Sequence, residues 1–390
     1  MLIVMTNRKL SEIPSDVSKL IDVEDMGVEL AERHSNENVL FSGILSADLK
    51  RIRFYPKQST KDLFSKISPA DKAKPWVFFV HGFHQDPEEN IKKANQLSRR
   101  HNVNVVAFAW PSRPLDEDMN MDDVKSIVKN DVISNVLGGA TLAKIGVHWL
   151  YKSLRDTWMN YEPALKNAEN SKIDLLAAIS LVNDYLPSEN PPVLLVHSMG
   201  NYLLENIMKS VDALPMQFGN IILHQADVNS NDHSWVKKLK SNLADKAKLY
   251  ITTNAYDTTL AGSQIHKKIN REENTERLGQ TRNHFVLGDI NYLDFTDGVY
   301  VSDDHEFFKR GKEDTNLDIY QCLGRIFRGE PDLLPEYDKK SKSGFTKMPT
   351  SVQLFRLEDV IHPADIDFDP ENDQTVSSLS LFDDTYINTH

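Results

Sequence analysis

Cysteine is almost absent from this chain: Cys322 is the only one in 390 residues. One thiol excludes an intramolecular disulfide and any zinc site built on several cysteines, and it suits a reducing compartment. Long apolar runs are missing as well. No stretch reaches the roughly 18 uninterrupted apolar residues that a membrane span needs. The N-terminal run Leu2-Ile3-Val4-Met5 is short and has no basic region before it, so it reads as a strand and not as a signal peptide. A basic surplus is lacking too: the formal charge is −12, which argues against nucleic acid as a partner. Residues 331–390 hold twelve Asp/Glu against five Lys/Arg, so much of the acidity belongs to that end. With 40% apolar residues the chain can still bury a large core, and the expectation is a cytoplasmic globular protein.

What the chain does have is alternation of buried strands and helices. Leu2–Met5 and Leu49–Tyr55 are predicted strands, the second alternating Ile52 and Phe54 with Arg51 and Arg53. Trp76-Val77-Phe78-Phe79-Val80 is a continuous apolar run, as expected of a strand buried on both faces. A helical stretch over 88–100 and a strand over 103–110 follow, and the pattern resumes with Val193–His197, Asn220–His224 and Leu249–Thr253. Such alternation predicts an α/β fold with a mostly parallel central sheet and helices on both faces. Trp110 and Pro192 are separated by about 80 residues, where a crossover needs only about a dozen. Ser171–Tyr185 is expected to supply the crossover helix, leaving 114–161 as a helical cap inserted into an α/β domain of residues 1–330. Residues 331–390 read as a linker and an acidic C-terminal extension, partly disordered or binding a partner.

The chemistry centres on Val193-Leu194-Leu195-Val196-His197-Ser198-Met199-Gly200-Asn201. An apolar strand stops at a serine and a helical pattern begins directly after it, the layout of a nucleophile elbow. A serine nucleophile needs a general base, an acid that orients the base, and amide donors for the oxyanion. In the chain order of such folds, Ser198 is followed by Asp257 and then His305. Asp227, at the end of the preceding strand, remains open as a second acid. The His81-Gly82 turn after the 76–80 strand is where an oxyanion loop belongs, so the Phe83 and Met199 amides are the expected donors. His81 and His84 lack a carboxylate–histidine spacing that would favour a metal, and His148 reads as a packing residue. No metal or organic cofactor is expected. Val196 departs from G-x-S-x-G, placing a β-branched residue where close approach favours glycine.

Taken together, Val80-His81-Gly82-Phe83, Phe108-Ala109-Trp110-Pro111-Ser112 and His197-Ser198-Met199-Gly200-Asn201 resemble a bacterial α/β-hydrolase family of unknown function. Ala226-Asp227-Val228, the segment reaching Asp257, Arg277-Leu278-Gly279 and His305 also look family-like. The resemblance covers roughly 1–112 and 161–325 and implies an α/β-hydrolase fold with a Ser-His-Asp triad. It makes the valine before the elbow a family trait. The expected function is cleavage of a carboxylic ester, small-molecule or lipid, through an acyl-enzyme. The alternatives are a lipase- or phospholipase-type effector active only in an assembly, or a non-catalytic interaction module using the C-terminal extension for a partner or self-assembly.

Overall fold

The computed structural model describes residues 1–10, 20–32, 39–46, 49–56, 60–112, 160–186, 189–269, 276–281, 285–298, 301, 304–306, 316–330, 336 and 344–357. The cap expected at 114–161 falls almost wholly outside these residues, as does the acidic stretch beyond 357.

Fourteen strands occur in the described chain: β1 (Leu2–Thr6), β2 (Arg8–Leu10), β3 (Leu20–Asp22), β4 (Met26–Leu30), β5 (Phe41–Leu45), β6 (Arg51–Pro56) and β7 (Trp76–Val80) lie in its first part. They are followed by β8 (Asn104–Ala109), β9 (Val193–His197), β10 (Ile221–His224), β11 (Leu249–Thr253), β12 (Asn291–Asp294), β13 (Phe345–Lys347) and β14 (Gln353–Leu357). Twelve form one sheet in the order β13-β14-β12-β11-β10-β9-β7-β8-β1-β5-β6-β3, and β2 pairs with β4 apart from it. From β14 to β1 every neighbouring pair is parallel; β13 at one end and β5, β6 and β3 at the other are antiparallel.

The apolar runs are buried on both faces because period-two alternation sends successive side chains into different cores. In β7, Phe78 and Val80 enter one core while Val77 and Phe79 enter the other; in β9, Leu194 and Val196 separate from Val193 and Leu195 in the same way. Helices Lys172–Tyr185 and Gly200–Ser210 cover the first face with Leu175, Ile179, Leu203 and Ile207. Helices Pro87–His101 and Leu317–Phe327 cover the second with Ile91, Leu97, Ile319 and Leu323. Helix Pro87–His101 starts sharply because Asp86 and Glu89 form a capping box with proline at the first turn, and it stops at Asn102, whose φ is 51°.

Residues 345–347 and 353–357, placed by sequence in the C-terminal extension, form β13 and β14, so the sheet continues past residue 330. Leu354 and Leu357 are buried in it, yet each strand is short and stands among polar residues, which leaves little periodicity to read. Among the described residues no helix is long and apolar enough to cross a membrane.

Candidate active site

Ser198 follows the last residue of β9 and has φ 53°, a left-handed conformation that costs a non-glycine residue about 1–3 kcal/mol. Hydrogen bonds over-determine it. Its N–H donates to His224 O (3.0 Å), and its carbonyl accepts from Asn201 N (3.0 Å), Asn201 Nδ2 (3.0 Å) and Asp227 N (3.2 Å). Asn201 Nδ2 also donates to Val196 O (3.0 Å), tying the strand end to the first turn of the helix that begins at Gly200.

Val196 fits because the close approach lies elsewhere. Its side chain is fully buried among apolar residues on the face covered by helices Lys172–Tyr185 and Gly200–Ser210, beside Val80 and Leu223 on the neighbouring strands. Gly200 and Gly82 take the tight positions instead. A Cβ on Gly200 would lie 2.7 Å from His81 O, and one on Gly82 would lie 2.5 Å from Ser198 Cβ and 3.1 Å from Ser198 Oγ. Gly82→Ala is therefore expected to push the serine side chain away and to slow its covalent labelling by a fluorophosphonate about a hundredfold. Val196→Gly should give no gain in rate, only a thermal destabilisation from the cavity it opens.

The loop after β7 is braced from three directions. Trp110 Nε1 donates to His81 O (2.9 Å) and its indole stacks on the His81 ring, while Ser112 accepts from His84 N (3.1 Å) and Gln85 N (3.0 Å). Arg8, fully buried, donates to Gln85 O (2.8 Å), Trp110 O (2.7 Å) and Gly27 O (3.2 Å), and burial lowers its pKa to about 9. The Trp-Pro-Ser segment thus acts as a scaffold for the loop. Neither the Phe83 nor the Met199 amide has an acceptor among the described residues. His81 is held neutral, chiefly by burial.

His305 Nδ1 lies 2.5 Å from Asp257 Oδ2. Asp257 follows β11 and is fully buried; its Oδ1 accepts from Leu260 N (3.0 Å). In the amide orientation that satisfies its neighbours, Gln225 donates to Asp257 Oδ2 (3.1 Å) and to Gly279 O (2.9 Å). Gly279 has no room for a side chain there, since a Cβ would sit 2.3 Å from Ala226 N. Burial lowers the proton affinity of His305 and the adjoining Asp257 carboxylate raises it, the carboxylate prevailing. His305 Nε2 is buried with no hydrogen-bond partner among the described residues. The ring of His197 lies against that of His305, centroids 4.6 Å apart, and its Nε2 donates to His305 O (3.1 Å). Burial keeps His197 well below the ordinary imidazole range and takes His224 to about 3, so both are neutral supports.

Asp227 is engaged elsewhere. Tyr161 donates to its Oδ2 (2.9 Å) and Ser263 to its Oδ1 (2.6 Å), with Arg277 Nη1 3.7 Å away. Sequence reasoning did not find Asn201, Gln225 or Arg8 as supports of the site, because hydrogen bonds between segments far apart in the chain leave no periodic trace. Among the described residues, no group of three or more His, Cys, Asp or Glu side chains is arranged to hold a metal ion.

A mostly parallel sheet between two helical layers, with a serine at positive φ where a central strand meets a helix, defines an α/β hydrolase. Within that class, residues 56–297 match the family model described as alpha/beta hydrolase of unknown function (DUF900), and the chain belongs to that family. The matched span contains Gly82, Ser198, Asp227 and Asp257 and ends before His305. Comparisons with curated proteins and with solved structures gave no match.

Proposed function

We propose that this α/β hydrolase cleaves carboxylic esters with Ser198 as nucleophile, His305 as general base and then acid, and Asp257 as the group that orients His305. The observation that carries this reading is the pairing of His305 with Asp257 at 2.5 Å, with His305 Nε2 unpartnered among the described residues and its ring against that of His197, the residue before a serine held at φ 53°. His305 would take the Ser198 proton as Oγ attacks the acyl carbon and return it to the leaving alkoxide. Water, activated by the same imidazole, would then release the acid and regenerate the serine. The Phe83 and Met199 amides would receive the oxyanion, aided by the positive end of the helix beginning at Gly200.

The test is covalent. A fluorophosphonate probe is expected to form one adduct, located by peptide mass spectrometry on the segment containing Ser198. A panel of short-chain and lipid esters then ranks the acyl groups by kcat/KM. No adduct across the pH range in which the protein is folded would sink the hydrolase reading and favour a non-catalytic module.

A further inference from the structure

The residue after His305 makes contacts that the proton transfer itself does not use. Glu306 Oε1 accepts from Lys93 Nζ (2.5 Å) and Gln85 Nε2 (3.1 Å), partners 213 and 221 residues away in sequence. The Lys93 and Glu306 side chains are each only 13% exposed. An ion pair so little exposed is a weak source of stability, because desolvation offsets much of the attraction. Its geometric consequence is larger. Residues 304–306 belong to no helix or strand, so His305 is fixed by point contacts: Asn254 Nδ2 donates to Asp304 O (3.2 Å), His197 to His305 O, and Glu306 N to Asp304 Oδ1 (2.8 Å). The Glu306 side chain is the contact that reaches the loop carrying Phe83. Arg8 pins that same loop at Gln85 O.

We propose that Lys93, Glu306 and Gln85 form a positioning clamp that fixes the His305 imidazole relative to the Phe83 loop, setting the base and an oxyanion donor from one shared anchor. The proposal rests on the catalytic reading of His305 given above. The clamp residues touch no reacting atom; they act through His305 and the loop. Among the described residues, Asp257 and His197 contact His305, and the charges of Glu306 and Asp227 and the ring of His224 act on it at longer range, so position and charge must be separated.

Two substitutions separate them. Glu306→Gln removes a negative charge beside the imidazole, which by charge alone lowers its proton affinity. Lys93→Met removes a positive charge and by charge alone raises it. A clamp predicts the same loss in both: labelling of Ser198 slows about tenfold, and the deshielded Nδ1 proton of His305, followed by NMR, shifts and broadens. The double variant Lys93→Met/Glu306→Leu removes both charges of the pair together and should fold with the same loss. Lys92→Met, which breaks the exposed 2.8 Å pair with Glu88 on the same helix, should keep the wild-type rate. Rates within about twofold of wild type in both single variants and the double, with an unmoved proton resonance, overturn the clamp; so do opposite effects that follow charge. If the wild type takes no label at Ser198, the hydrolase reading falls, and the resonance alone still decides the clamp.

Discussion

Ser198→Ala is expected to abolish fluorophosphonate labelling and to lower ester turnover about a millionfold. What remains should still exceed the uncatalysed reaction by roughly a thousandfold, because the amide donors and the binding surface are untouched. The fold should survive the change. The groups that hold the elbow are the backbone N–H and C=O of residue 198, bonded to His224, Asn201 and Asp227, and these are the same in alanine. Serine and alanine also bear similar strain at φ 53°. A thermal midpoint within a few degrees of wild type, together with complete loss of label, is the expected pair of results. Retained label in Ser198→Ala would place the nucleophile elsewhere, and a large fall in the midpoint would make the elbow serine a structural residue.

The elbow was legible because its signal is local: an apolar run, a serine and a helical pattern stand within nine residues, and β7, β8, β10 and β11 announce themselves by uninterrupted burial. Ser198 and Asp257 stand just past predicted strand ends, whereas His305 was chosen only by the chain order expected of such folds. What lies beyond local reading is which distant pieces meet. Asp227 and Asp257 each follow a strand of the same sheet, and only the path of the chain afterwards sends one to Tyr161 and Ser263 and the other to His305. The glycine absent at Val196 is compensated by Gly82, 116 positions away from Ser198, through a contact between loops from two adjacent strands. Strand β6 was legible from the alternation of Ile52 and Phe54 with Arg51 and Arg53, whereas β3 and β13, three residues each at the two edges of the sheet, pair only because the sheet is already there. Glu306 reads as one more surface acid until Lys93 and Gln85 come up against it.

The two aspartates are separated by the second large effect. Asp257→Asn is expected to lower kcat about 10⁴-fold, whereas Asp227→Asn should stay within about tenfold of wild type. Asp257 is surrounded by donors: Leu260 N on Oδ1, and Gln225 Nε2 and His305 Nδ1 on Oδ2. An asparagine there must aim its own NH₂ at one side. Facing Leu260, it sets donor against donor and leaves a buried amide unpaired, at about 1–3 kcal/mol. Facing His305, it opposes the Gln225 donor and forces the imidazole to carry its proton on Nε2, so that the base can no longer accept from serine. The pH profile gives an independent reading. The Asp257 carboxylate raises the proton affinity of His305, and the proposed mechanism needs the neutral imidazole. Wild-type labelling should therefore fall on the acid side, and removing the carboxylate should move that limb to lower pH while depressing the plateau. Asp227→Asn instead leaves Arg277, Tyr161 and Ser263 to re-pair around a buried amide, a loss of stability of about 2 kcal/mol read in urea unfolding. Should Asp227→Asn carry the 10⁴-fold loss and the displaced acid limb, the orienting role belongs to Asp227, and the 2.5 Å contact between His305 and Asp257 is structural.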